Sequence, residues 1–191
     1  MSETRPQPRV GHVHLKVSDL ERAIRFYREV IGLDMVQLVP DRLAFMSFGG
    51  YHHHVALNVS QWKGAPAARP ENAGLLHAAF SYPTRLALAE VYRRAVEHGI
   101  GDARGSDHGV TEAIYFDDPD GNGIEISWDC PRERWQYLAD GTLNVALGVP
   151  FDPNALFLGE VAEEPPPVCM TAAPVTLVAR PSARTASSGP G

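Results

Sequence analysis

Four side chains of this chain are of the kinds that hold metals, and they sit at related places. His12 opens His12-Val-His-Leu-Lys-Val17, and His77 opens His77-Ala-Ala-Phe-Ser-Tyr82. His54 precedes a third apolar run, and Glu125 follows the turn Asp117-Asp-Pro-Asp-Gly-Asn-Gly-Ile-Glu125. Each falls on the face of a strand opposite the apolar set. His12 opposes Val13, Leu15 and Val17; His54 opposes Val55, Leu57 and Val59; His77 opposes Ala78, Phe80 and Tyr82; Glu125 opposes Ile124, Ile126 and Trp128. If helices cover the apolar faces, these four point into the concavity of a curved sheet. Imidazole nitrogens with a carboxylate suit a divalent first-row transition metal.

The bland alternatives are also visible. A lone histidine on a strand is ordinarily a surface or hydrogen-bonded residue. The matching places of His12 and His77 in a repeat argue against that for this pair. Glu125, between Ile124 and Ile126 directly after a turn, reads as an inward carboxylate rather than a solvated one. His14 shares the face of His12 and stays open as a ligand. In His52-His53-His54, alternation puts His52 and His54 on one face and His53 on the other, but a polar turn fits equally. His108 lies in Gly105-Ser-Asp-His-Gly109, a loop composition, and Tyr115 lies between Ile114 and Phe116 on a strand. By themselves the last two read as a surface histidine and a packed tyrosine.

The elements that must position these residues repeat. Val10 to Val17 alternates as a half-buried strand. Ser18-Asp-Leu-Glu21 reads as a capping box. Leu20, Ala23, Ile24, Tyr27, Val30 and Ile31 then recur at helical spacing, and Gly32 stops the helix. Strands are expected near Asp34–Leu38, Leu43–Phe48 and His54–Val59. Residues 61–74, with Trp62, Gly64, Pro66, Pro70 and Gly74, read as a linker. The pattern restarts with a strand at His77–Tyr82, a helix at Thr84–Glu97 stopped by Gly99, and strands near Gly101–Gly105, Thr111–Phe116 and Ile124–Trp128. Both halves thus read β-α-β-β-β. The expected class is α+β, two such repeats forming one module with a curved open mixed sheet. The expected division is a flexible N-terminus over 1–9, units over 10–60 and 75–130, an extension over 131–161 that packs on the core, and a disordered Pro-, Ala-, Ser- and Thr-rich tail over 162–191.

The bulk numbers are compatible with this. The chain has 191 residues, 44% hydrophobic, with a formal net charge of −6. That charge disfavours nucleic acid and anionic membranes as partners. Two cysteines, Cys130 and Cys169, make no disulfide framework, so a reducing cytoplasm is expected. No targeting segment or membrane-spanning run is evident.

Residues 10–130 resemble the vicinal oxygen chelate superfamily, which includes glyoxalases, bleomycin-resistance proteins, epimerases and extradiol ring-cleaving dioxygenases. His12-Val-His-Leu-Lys-Val-Ser-Asp-Leu-Glu-Arg-Ala-Ile-Arg-Phe-Tyr-Arg-Glu-Val-Ile-Gly-Leu33 looks like its first strand and helix, which indicates fold rather than function. His108-Gly-Val-Thr-Glu-Ala-Ile-Tyr-Phe-Asp-Asp-Pro-Asp-Gly-Asn-Gly-Ile-Glu125 resembles the extradiol signature, with Ser106 as a departure before the histidine. The Tyr-His-His-His run and Ser-Asp-His-Gly-Val segment are similar to those of small proteins called catechol 2,3-dioxygenase-like. The resemblance implies His12, His77 and Glu125 as Fe(II) ligands, His54 as an acid–base residue beside them, and His108 and Tyr115 as substrate contacts. The stretch between His54 and His77 is longer than usual for the family. The implied activity is ring cleavage of a catechol-like aromatic diol by O₂, as in aromatic catabolism. With His54 as a fourth ligand the resemblance implies instead a glyoxalase- or epimerase-like enzyme using Ni, Zn, Co or Mn. A non-catalytic, drug-sequestering binder is the third alternative. A homodimer is expected, because an open sheet module leaves edges to cover.

Overall fold

The computed structural model describes residues 8–158 apart from Pro70. The expected tail over 162–191, and most of the expected flexible start, lie outside the described residues. The first half runs β1 (Val13–Lys16), α1 (Leu20–Phe26), a π-helical turn (Tyr27–Ile31), β2 (Asp34–Val39), β3 (Leu43–Ser47) and β4 (Val55–Asn58). The second runs β5 (Ala78–Ser81), α2 (Arg85–Glu97), β6 (Arg104–Asp107), β7 (Thr111–Asp117) and β8 (Gly123–Asp129). After a short 3₁₀ turn (Arg132–Arg134) come β9 (Val149–Phe151) and α3 (Ala155–Leu158).

The class is α+β with open mixed sheets. Hydrogen bonding divides the strands into a four-stranded sheet, β1-β4-β3-β2, and a five-stranded one, β5-β8-β7-β6-β9. In each half the first strand pairs parallel with the last: Leu15 lies opposite Leu57, and Phe80 opposite Ile126. Parallel partners need a long crossover, and the helix supplies it. The faces of α1, the π-helical turn and α2 that recur at helical spacing are buried, including Leu20, Ala23, Val30, Leu88, Val91 and Ala95. Together with Leu57, Ile114 and Ile126 they form one hydrophobic cluster shared by both halves.

Two local expectations shift, each because a distant partner intervenes. The capping box is replaced: Asp19 is the N-cap of α1 and accepts from Arg22 N at 2.9 Å. Ser18 is drawn elsewhere, its backbone N and hydroxyl both donating to Asp120 Oδ1 of the other half. The strand expected at Gly101–Gly105 forms at Arg104–Asp107 because β9 zips along its outer edge, Gly105 opposite Phe151 and Asp107 opposite Val149. A side chain at residue 105 would meet Phe151 O at 2.6 Å, so this approach needs glycine.

A polar latch joins the halves through the Asp-Pro-Asp turn. Buried Tyr27 donates to Asp118 Oδ2 at 2.9 Å. Asp118 also accepts from Asp120 N, Asn122 N and Asn122 Nδ2. Arg22 pairs with Asp120 at 2.8 Å. The helix end of the first half is closed by the second half: Arg94 Nε donates to Val30 O and Tyr82 Oη to Ile31 O. These are carbonyls near the end of the helical segment, where intrahelical donors run out.

His98, at the C-terminus of α2, bonds Glu29 at 2.9 Å and Arg94 O at 2.8 Å. The Glu29 bond, then the backbone carbonyl, raises its pKa. A raised histidine stabilises the fold fully below the unfolded pKa of about 6.5, and that contribution is lost as pH rises through the folded value. His98→Gln should therefore cost stability at pH 5.5 and almost none at pH 8.5. The expected difference is below about 1 kcal/mol, because the pair is solvent-screened. Urea titrations of both proteins at both pH values check it.

Candidate active site

β8 carries the carboxylate and β5 leads in with the histidine. Ala78 pairs with Ile124 and Ala79 with Glu125. His77, just before β5, therefore reaches Glu125 on the neighbouring strand, with Nε2 to Oε2 at 2.9 Å. Gly123 permits this, since a Cβ there would fall 2.1 Å from Leu76 O. On the other side β7 places Tyr115 opposite Glu125. The Tyr115 and His77 rings are 5.4 Å apart. Burial, then the Glu125 charge and its hydrogen bond, push the Tyr115 phenol up to about 12. Tyr115 therefore stays protonated and can donate.

His108 completes the group, with Nε2 2.9 Å from the Tyr115 hydroxyl. His77, Glu125, Tyr115 and His108 are thus one contiguous cluster on the second sheet.

The first-half residues are placed differently. His12 stands just before β1, the place His77 holds before β5. Its ring lies on His53, 4.3 Å between centroids, and His53 in turn lies 4.8 Å from Phe45. His54 precedes β4, beside His12 in the parallel pair, with its O accepting from Val13 N. Its Nδ1 is 2.9 Å from Ser47 Oγ and accepts from Phe48 N at 3.2 Å. Through Phe48, which packs on Phe80 and Tyr82, it reaches the apolar face of β5. His14 accepts from Asn58 Nδ2 at 3.3 Å. The run at residues 52–54 is a polar turn, with His52 and His53 Nδ1 atoms 2.8 Å apart. Partial burial, then the neighbouring imidazoles of His12 and His52, lower the His53 pKa. Among the described residues no hydrogen bond or ring contact joins this cluster to the second-half one.

The strand registers show that the halves are chemically unequal. Val13 pairs with Val55 as Ala78 pairs with Ile124, so Ala56 holds the place of Glu125. Phe45 pairs with Ala56 as Tyr115 pairs with Glu125. The first half thus has an apolar pair where the second has a carboxylate and a phenol.

The donor set can be tested against a divalent metal. Cis ligands with bonds of about 2.1 Å lie about 3 Å apart, and the His77–Glu125 separation is 2.9 Å. Two of three donors therefore have suitable spacing. Among the described residues no three His, Cys, Asp or Glu side chains converge closely enough to hold a metal ion. The third donor, His12, is turned onto His53. Two contacts were invisible in the sequence: the His53 ring on His12, and a backbone carbonyl, Ala146 O, 3.0 Å from His108 Nδ1. A doubled histidine beside His54 was the only hint of the former.

Known proteins are similar to this chain. The chain is 36% identical over 143 residues to catechol-2,3-dioxygenase of Bacillus subtilis (strain 168), a match covering 74% of this chain and 48% of that protein. It spans about half the length of that relative. It is 33% identical to biphenyl-2,3-diol 1,2-dioxygenase 3 of Rhodococcus globerulus, covering 78% of this chain and 80% of that one. Among solved structures it is similar to a lactoylglutathione lyase of Agrobacterium tumefaciens, with a TM-score of 0.50, 25% identity, and coverage of 65% and 96% of the two chains. No helix of the described residues is long and apolar enough to cross a membrane. Residues 9–126, which carry both β-α-β-β-β repeats, match the Glyoxalase/Bleomycin resistance protein/Dioxygenase superfamily, and the chain belongs to it.

Proposed function

We propose that the protein is a metal-dependent extradiol dioxygenase that opens the ring of a catechol-like diol with O₂. The observation that carries this reading is the cluster itself. The His77–Glu125 pair has metal-ligand spacing, and a protonated phenol and an imidazole stand in one hydrogen-bonded line beside it. The names of the Bacillus and Rhodococcus relatives point the same way.

In this reading His77 and Glu125 would hold Fe(II), with His12 as the third ligand once its ring leaves His53, and with Mn, Ni, Zn or Co as alternatives to iron. A two-histidine, one-carboxylate set leaves adjacent positions open for the diol and oxygen, and iron would supply the electron transfer between them. The protein's own part is positioning and proton management. Tyr115, held in its protonated form, donates to a ring oxygen of the diol. His108 Nε2 takes the proton of a diol hydroxyl. His54, whose Nδ1 is occupied by the Phe48 N–H, would present its Nε2–H as the acid–base group. The sheet edges at β1, β2, β5 and β9 support a homodimer.

The test is anaerobic loading with Fe(II), addition of a catechol panel, then air. Oxygen uptake with a coloured ring-opened product is the expected result. No uptake with any catechol, together with turnover of a hemithioacetal in the Ni or Zn form, would sink the reading and favour the lyase.

A further inference from the structure

The segment over residues 145–151 runs along the β6 edge of the second sheet; Phe151 packs against the core, but the apolar residues that precede β9 do not explain its course. Val145 is 53% and Leu147 84% exposed, while Ala146 between them is 6% exposed. What the segment gains is backbone contact with His108. Ala146 N donates to His108 O at 3.1 Å, and Ala146 O lies 3.0 Å from His108 Nδ1. The strap is then anchored by β9, which pairs with β6 through Ser106 opposite Pro150 and Asp107 opposite Val149. Gly148 makes the approach possible. Its φ is +109°, and a Cβ would fall 2.1 Å from Ser106 Oγ and 3.0 Å from His108 Cε1.

A carbonyl oxygen only accepts, so Nδ1 must carry hydrogen for this contact to be a hydrogen bond. In the neutral ring, Nε2 is then bare and can only accept. That nitrogen is the one 2.9 Å from the Tyr115 hydroxyl, whose single hydrogen is shared between it and the Glu125 carboxylate.

We propose that this strap is part of the active centre, with the Ala146 carbonyl and Gly148 as positioning elements that fix His108 as the Nδ1–H tautomer and aim Nε2 at Tyr115 and the substrate hydroxyl. The catalytic half of this statement rests on the dioxygenase reading; the tautomer half does not. His108 is the residue touching substrate, and the strap acts through it. Such outer partners of a site are ordinarily worth about 10–100-fold in activity or affinity.

The experiment is long-range ¹H–¹⁵N correlation on the full-length, metal-free protein with labelled histidine, His108 being assigned by its absence in His108→Gln. The expected spectrum shows His108 protonated at Nδ1 with Nε2 bare. Gly148→Ala should shift it toward the Nε2–H form and, in the iron-loaded enzyme, lower kcat for a catechol about tenfold with little change in KM. Replacement of the Ala146–Leu147 amide by an ester weakens the same carbonyl without adding a side chain, and should move the spectrum in the same direction. An Nε2–H His108 in the wild type overturns the proposal, as does a spectrum unmoved by the ester and by Gly148→Ala. The expected spectra without turnover of any catechol would support the strap and remove the dioxygenase reading alone.

Discussion

Glu125→Ala is expected to remove Fe(II)-dependent oxygen uptake and retained metal together. The loss should exceed the about 10–100-fold typical of outer partners, because in the proposed site a metal ligand itself is deleted. His77 has Glu125 as its partner at 2.9 Å, and the equivalent place in the first half is Ala56, which offers no substitute carboxylate. The same change should lower the Tyr115 pKa from about 12, since the Glu125 charge and hydrogen bond are among its causes. Burial, the largest cause, remains, so the value should stay above the ordinary 10.0. Metal analysis after anaerobic loading and dialysis, oxygen uptake, and ultraviolet titration of tyrosine are the three measurements. A Glu125→Ala protein that keeps its iron and its turnover excludes Glu125 as a ligand.

The second large effect is on stability. Asp118→Ala should cost about 3 kcal/mol at neutral pH, because it strands the buried Tyr27 hydroxyl and frees three further donors at once. Tyr27→Phe should cost less, about 2 kcal/mol, since it deletes one charge-assisted bond and leaves the turn intact. The two changes should be non-additive in a double-mutant cycle. Burial is the largest influence on Asp118 and holds its carboxyl above 3.8 in spite of four donors. A carboxyl raised on folding contributes stability that is fully present below the unfolded pKa and is lost as pH rises through the folded value. The gap between wild type and Asp118→Ala should therefore widen toward acid pH, and urea midpoints between pH 3 and 7 read it. A gap that narrows toward acid would show that the donors outweigh burial.

The sequence carried the architecture where burial is one-sided. Alternation in Val13 to Val17 and Ile124 to Trp128, and helical spacing from Leu20 to Ile31, correspond to strands and a helix because one face of each must be dry. It carried less where a polar atom has two possible partners. Ser18 had a local use as a cap and a distant one at Asp120, and the distant one prevails. Tyr27 reads as core by spacing, but the partner of its hydroxyl lies 91 residues away. In the site, His77 and Glu125 were legible from their strand faces and Tyr115 only through the resemblance; strand register then brings neighbours on one sheet into contact. His12 lies on the other sheet, and nothing in its local pattern distinguishes a ring facing His77 from one resting on His53. The Ala146 carbonyl has no signature at all, since every residue has one.

The parallel closure of each half also has a kinetic side. Leu15 pairs with Leu57, and Phe80 with Ile126, across an intervening helix and strands. Contacts between such distant residues carry a loop-closure cost and slow folding. The antiparallel hairpins β2–β3 and β7–β8 are local and should form first. The Tyr27–Asp118 latch spans both halves and should be the last to engage. Stopped-flow measurements on Tyr27→Phe should then show faster unfolding with an almost unchanged folding rate, so that the joint between the repeats governs the lifetime of the folded chain rather than the speed of reaching it.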